Sequence, residues 1–312
     1  MIDVMGKIRP VSTYSIIAID KKENLMGVAI QSHWFSVGSV VGWAESGVGV
    51  VATQSIAEPS YGSRGLLLMK ARVLPQKVLK ALLTIDPQED VRQVAMLDVH
   101  GRVVAHTGNH CIPEAGHIIG EGYSVQANLM RNREVWPAMS SAFRKKKGTL
   151  VSRLMSALEA AEDVGGDIRG RQSAAMLVVR CESSGIPWND KVIDLRVEDH
   201  PEPLKELKRL IKIHEAYAHN STGDELIAQG KIQEGLKQYR LANRKAPQIV
   251  ELKFWQAVSL LNKGNIEYAK ETLKEVFAAN KDWKRVLLSL PQTKILSINK
   301  ALLSEIVSGF GL

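Results

Sequence analysis

Residues 13–55 constrain the fold more than any other stretch of the chain. Thr13-Tyr14-Ser15-Ile16-Ile17-Ala18-Ile19 is a β-branched and aromatic run. It is closed by the polar segment Asp20-Lys21-Lys22-Glu23-Asn24 and answered by residues 25–32, which predicts a hairpin. Residues 39–43 and 48–55 repeat the device across Glu45-Ser46-Gly47, so the region reads as a four-strand antiparallel meander. Ile16, Ile17 and Ala18, like Val28, Ala29 and Ile30, are apolar at consecutive positions, the pattern of strands covered on both faces.

The residues that follow supply the cover. Leucines at helical spacing predict helices over 63–72 and 76–83, after the turn Glu58-Pro59-Ser60-Tyr61-Gly62. Residues 91–99 and 102–107, bridged by His100-Gly101, read as a second hairpin that 123–128 continues. Helices are predicted over 132–145 and 149–163, then strands over 172–180 and 192–198. Strands in hairpins and helices in pairs argue against a parallel doubly wound sheet. They argue for an α+β fold in which two antiparallel sheets lie between helical layers.

Pro201-Glu202-Pro203 ends that domain, and beyond Leu204 only helical patterns remain. Gly223, Gly230, Tyr239, Ala242 and Pro247 stand at the offsets of a tetratricopeptide unit of about 34 residues, and Ala257, Gly264, Leu273 and Val276 fill the same slots one unit on. Ala269 takes the slot of Gly235. Two units are too few to stand alone, so a helix over 203–216 and the tail 282–312 are expected to cap them. The expected organisation is an N-terminal extension, 1–12, a domain over 13–203 and a helical tetratricopeptide-like domain over 204–312.

At 312 residues the chain is long enough for two cores. No apolar run nears the ~20 residues that cross a bilayer, and residues 1–12 lack a signal-peptide core, so a cytoplasmic protein with no membrane partner is expected. The net charge of +8 is dispersed; the basic run Arg144-Lys145-Lys146-Lys147 lies between two predicted helices and reads as a solvated connector, not a nucleic-acid surface. Cys111 and Cys181 are far apart and in no metal-ligand spacing, and His106, His110 and His117 lack an acidic companion at helical spacing. Neither a metal nor a cofactor is expected.

Three constellations could carry chemistry. Antiparallel pairing brings Thr13, at the head of the first strand, beside Ser32 at the end of its partner. A threonine there becomes a nucleophile if its own freed α-amine serves as base; otherwise it is a strand-favouring residue. The turn Gly165-Gly166-Asp167-Ile168-Arg169-Gly170-Arg171-Gln172-Ser173 could grip a carboxylate or phosphate through its arginines, or be held by an internal Asp-Arg pair. In Val125-Gln126-Ala127-Asn128 the amides could donate to an oxyanion or simply satisfy a strand end.

Thr13-Tyr14-Ser15-Ile16, Gly27-Val28-Ala29-Ile30-Gln31-Ser32, Ala52-Thr53-Gln54 and Tyr61-Gly62-Ser63-Arg64-Gly65-Leu66 resemble the domain-of-unknown-function family 1028. So do Ala115-Gly116-His117, Val125-Gln126-Ala127-Asn128, the turn at residues 165–173 and Asp194-Leu195-Arg196-Val197-Glu198-Asp199-His200-Pro201, over about residues 13–215. That family looks like a branch of the N-terminal nucleophile hydrolases. The resemblance implies a four-layer αββα sandwich and an amidohydrolase acting on a small amide or peptide substrate. It implies Thr13 as nucleophile, Ser32 as its neighbour and Asn128 as oxyanion donor, with Asp167, Arg169, Arg171 and His117 shaping the substrate pocket. Thr13 is preceded by twelve residues, so this mechanism requires either processing after Ser12 or synthesis that starts elsewhere. The helical repeats are expected to bind a protein or peptide partner or to support homo-oligomers. The alternative is a non-catalytic ligand-binding or scaffold protein on the same fold.

Overall fold

The computed structural model describes residues 11–310, and the chain divides between Lys208 and Arg209 into two compact units. In the first, β1 (Thr13–Asp20) and β2 (Leu25–Ser32) form the expected hairpin, with Thr13 opposite Ser32. The Asp20 carboxylate accepts the backbone N–H groups of Lys22 (3.0 Å) and Glu23 (3.2 Å), and Asn24 takes a left-handed conformation at φ 58°, so the polar run reverses the chain. β3 (Gly42–Glu45) and β4 (Gly49–Ser55) make a second hairpin. After them come α1 (Ser60–Lys70) and α2 (Pro75–Thr84), then β5 (Arg92–Asp98), β6 (Val103–Thr107), β7 (Gly116–Gly120) and β8 (Tyr123–Ala127). α3 (Val135–Lys145), α4 (Leu150–Asp163), β9 (Ser173–Arg180), the short α5 (Pro187–Asp190) and β10 (Lys191–Val197) complete the unit.

The first two hairpins do not form one meander. β1 and β2 belong to a six-stranded antiparallel sheet of order β10-β9-β2-β1-β8-β7, and β3 and β4 to a four-stranded sheet of order β3-β4-β5-β6. The link between them makes a 3₁₀ turn at Val37–Ser39, where the sequence predicts the start of a strand, and buries Val37 and Val41 as it crosses from one sheet to the other. For the same reason β8 does not continue the β5–β6 hairpin; it pairs with β1 and β7 in the larger sheet. β7 was not expected. Its bounding glycines depress the strand signal, yet they are required by packing: a Cβ at Gly116 would lie 2.7 Å from the Trp136 ring, and one at Gly120 2.1 Å from the Tyr123 ring.

The two sheets face each other, and every strand near the centre alternates sides. Ile17, Met26, Val28, Ile30, Val50, Ala52, Ala95 and Leu97 share one buried cluster between the sheets. On the outer face of the four-stranded sheet, Val51, Val94 and Met96 pack with Leu66 and Met69 of α1 and Val78, Leu79 and Leu82 of α2. α3 and α4 pack on the six-stranded sheet, where the Tyr14 hydroxyl donates to Glu162 Oε1 (2.7 Å). Thr149 caps α4 by accepting the Ser152 N–H, and the basic residues 144–147 before it are exposed.

The second unit is helical: α6 (Pro203–Ala228), within which the division falls, then α7 (Ile232–Lys245), α8 (Val250–Asn262), α9 (Ile266–Ala279), α10 (Asp282–Thr293) and α11 (Lys300–Ser308). The expected separate helix over 203–216 is absent, because α6 runs on without a break to Ala228. Gly230 and Gly264 take φ of 80° and 73° in the α6–α7 and α8–α9 turns. Tyr239 lies against Gly223, where a Cβ would meet its ring at 2.4 Å, and its hydroxyl donates to Asp224 Oδ1 (2.6 Å). Ala257, Ala269, Leu273 and Val276 are fully buried in that unit's core. No helix among the described residues is long and apolar enough to cross a membrane.

Candidate functional site

Along β1 the side chains that face the other sheet change from hydroxyls, Thr13 and Ser15, to hydrocarbon at Ile17. Neighbouring strands change with it. β4 carries Gln54 one residue before its end, β5 carries Gln93 directly opposite, and β8 contributes Gln126, opposite Ser15, before Asn128. All are fully buried. Ser15 Oγ donates to Gln54 Oε1 (2.6 Å) and accepts from Gln126 Nε2 (2.7 Å). Gln54 Nε2 donates to Gln93 Oε1 (2.7 Å) and to the Thr13 carbonyl (3.0 Å). Gln93 Nε2 donates to the Ala127 carbonyl (2.9 Å) and to Thr107 Oγ1 (2.9 Å). A buried polar atom left unpaired costs about 1–3 kcal/mol, so such a cluster is stable only when nearly every atom is matched.

Thr13 itself is fully buried, and its hydroxyl donates to the Val11 carbonyl (2.9 Å). The carbonyl of Ser12, the residue joined to its nitrogen, accepts from Ser32 Oγ (2.5 Å) and from Arg169 Nη2 (2.7 Å). Arg169 is aimed by Asp167, which takes its Nε at 3.0 Å and Nη2 at 2.7 Å and also accepts the Arg169 and His33 backbone N–H groups. Gly165, Gly166 and Gly170, at φ of 115°, 53° and 106°, give the turn its path, and a bridge between Met130 and Asp167 sets it beside the end of β8.

Asn128 lies next to Thr13, its backbone N–H donating to the Thr13 carbonyl (3.2 Å). Its amide nitrogen is already engaged by Gln93 Oε1 (2.9 Å) and the Thr13 carbonyl (3.5 Å), while Oδ1 is buried with no partner. The atom Asn128 has to offer is therefore an acceptor. Ser12 Oγ is likewise buried and unpartnered.

Two of the expected residues stand apart from this centre. Arg171 pairs with Glu162, which also accepts the Tyr14 hydroxyl, so it serves the α4 side of β1. Burial first, then the Glu162 charge, pushes the Tyr14 pKa far up. His117 sits on β7 opposite Gln126 and is linked to Thr13 only through intermediates. Its Nδ1 lies 2.8 Å from Thr107 Oγ1, which also accepts from Gln93 Nε2. Burial, with His106 second, lowers its pKa. It lines a surface cavity of about 480 Å³ with Cys111, Glu114 and Arg133.

Another cavity, of about 960 Å³, opens at the opposite end of the sheets among Glu45, Lys70, Asp98, His100 and Arg102 and holds none of the expected residues. Cys111 and Cys181 are buried free thiols whose pKa values burial raises, that of Cys181 to about 11. No group of three or more His, Cys, Asp or Glu among the described residues is placed to hold a metal.

Sequence reasoning gave Gln54 and Gln93 no role. The available signal was an amide on the core-facing parity of two otherwise apolar strands, after Val50-Val51-Ala52-Thr53 and before Val94-Ala95-Met96-Leu97.

Residues 13–207 match the family described as "Family of unknown function (DUF1028)". The crystal structure of a Silicibacter pomeroyi protein, itself described as DUF1028, is similar with a TM-score of 0.59 at 28% identity, covering 64% of this chain and 85% of that one. No curated protein matches the chain.

Proposed function

The chain belongs to DUF1028, a family of unknown function, and we propose that it is an amide or peptide-bond hydrolase of the N-terminal nucleophile type, with Thr13 as nucleophile, on a four-layer αββα sandwich. The observation that carries this reading is the double grip on the Ser12 carbonyl by Ser32 Oγ and Arg169 Nη2. Two donors on one amide oxygen stabilise negative charge there, and this is the amide that must open to free the Thr13 amine.

The activating step runs between adjacent residues. Thr13 Oγ1 attacks the Ser12 carbonyl carbon, its proton passes to the amide nitrogen as the C–N bond breaks, and the acyl group is left as an ester on Oγ1. Water hydrolyses that ester, giving a carboxylate at Ser12 and a free α-amine on Thr13. The amine titrates near pH 8 and becomes the base for the next cycle. A substrate carbonyl is then attacked by Oγ1, the amine carries the proton to the leaving nitrogen, and water releases the acyl group. Ser32 and Arg169 serve the developing oxyanion, and Asn128 Oδ1 accepts from the amine. In the uncut chain the Thr13 hydroxyl meets a carbonyl, which is no base, so that form is a resting precursor.

The small-acid-binding reading is weaker, because Arg169 and Arg171 are already engaged by Asp167 and Glu162. The tetratricopeptide-like repeats serve to bind a protein or peptide partner. Intact-mass measurement tests the central step: the purified chain is expected to convert to one that begins at Thr13, and the Thr13→Ala variant to keep its leader. A wild-type chain that stays uncut on prolonged incubation, and leaves amide substrates untouched, overturns the reading.

A further inference from the structure

We infer that Val11 and Ser12 are a template for the acyl side of the substrate, which is an extended peptide with an alanine-sized residue at the scissile carbonyl and a branched aliphatic residue before it. This rests on the reading of Thr13 as nucleophile. It is carried by what the two residues occupy: Ser12 is fully buried and Val11 is 5% exposed.

Their two carbonyls receive four hydrogen bonds. Ser12 O takes Ser32 Oγ and Arg169 Nη2, and Val11 O takes the Ser55 N–H (3.1 Å) and Thr13 Oγ1. All four donors remain on the protein after the bond before Thr13 is cut. With the leader gone, Arg169 Nη2 keeps Asp167 Oδ2 and Thr13 Oγ1 gains the freed amine, but Ser32 Oγ and the Ser55 N–H, one at each carbonyl position, lose the acceptors they have here. A ligand that restores two carbonyls at the spacing of consecutive residues supplies acceptors to both, whereas a simple acyl amide supplies only the first. Val11 also forms an isolated antiparallel bridge with Ser55, so a substrate would meet the end of β4 by main-chain pairing.

Side-chain selection follows from the same two positions. Ser12 is fully buried and its Oγ makes no hydrogen bond, so the hydroxyl is not what the site recognises, and a methyl group occupies less space than the side chain already enclosed there. Val11 belongs to the apolar cluster with Val37, Val41 and Ala52, which favours a branched hydrocarbon and rejects a charge.

The test uses the full-length chain after self-cleavage and four aminomethylcoumarin amides: acetyl-Val-Ala, acetyl-Val-Phe, acetyl-Asp-Ala and acetyl-Ala. The expected kcat/KM for acetyl-Val-Ala exceeds that for acetyl-Val-Phe and acetyl-Asp-Ala on the order of 100-fold and that for acetyl-Ala about 10-fold. Acetyl-Val-Ser acid is expected to compete and to raise the melting temperature of the cut chain. Thr13-dependent hydrolysis of all four at similar rates overturns the template and leaves the nucleophile standing. A cut chain that turns over none of them and is not stabilised by acetyl-Val-Ser acid also overturns it. A chain that never cuts removes the nucleophile and the template together.

Discussion

The space between the two sheets is filled in two ways. At one end Ile17, Met26, Val28, Val50 and Leu97 close it with hydrocarbon; at the other Thr13, Ser15, Gln54, Gln93, Gln126 and Asn128 close it with hydrogen bonds. The strands are the same, and the change occurs within two residues along β1. Hydrocarbon lowers the free energy without matching partners, about 25 cal/mol per Å² removed from water. The amide end gains little net for each hydrogen bond and loses much for each one missed. That such a filling persists beside a workable alternative, and still leaves Asn128 Oδ1 and Ser12 Oγ unpartnered, is why the proposed chemistry is placed at the polar end.

Variants at the two ends should therefore fail differently. The largest effect is expected from Thr13→Ala, which should abolish both self-cleavage and amide hydrolysis, at least about 10³-fold by intact mass and fluorogenic assay, while Thr13→Ser keeps a measurable rate. Ser32→Ala removes one of two donors on the Ser12 carbonyl and should slow cleavage about 10²–10³-fold in a mass-resolved time course. Retention of the wild-type rate would strip the polar end of its role.

Stability sharpens the contrast. Ile17→Ala should lower the unfolding free energy by about 2–5 kcal/mol in denaturant titrations and leave the cleavage rate alone. Gln93→Ala should lower it by about 1–3 kcal/mol, through unpaired Gln54 and Asn128 amides, and slow cleavage as well. If the two variants affect cleavage equally, the ends are one core.

The smallest expected effect is on pH dependence. His117 has a pKa below its ordinary value of about 6.5, so the unfolded chain binds the proton more tightly. The stability this contributes is present above about pH 6.5 and is lost as pH falls through the lowered folded value. Melting temperature should drop over that acid range, and less so in His117→Gln; an identical profile would show that burial does not keep the imidazole neutral.

Local features were legible in the sequence, and nonlocal ones were not. The Thr13–Ser32 pairing follows from one hairpin, and the element order from periodicity. Assignment of the hairpins to separate sheets depended on residues 33–41, whose buried Val37 and Val41 look like strand residues. The α6 helix was divided because the repeat pattern supplied a boundary that its backbone ignores. At the site, the Asp167 turn contributes through Arg169 reaching back to Ser12 from far along the chain, and Gln54 and Gln93 meet only because β4 and β5 pair. Arg171, next but one to Arg169, turns to the opposite face of β1. Composition carries no mark of that parting.

β1 lies inside its sheet, with β2 on one side and β8 on the other. Chain ends ordinarily fray, because nothing holds their last residues. An end newly made at Thr13 would instead be clamped from both flanks, so an aminopeptidase could not draw it out, and its amide hydrogens should exchange as slowly as those of the sheet's interior. The protein would then carry a terminus as permanent as its core.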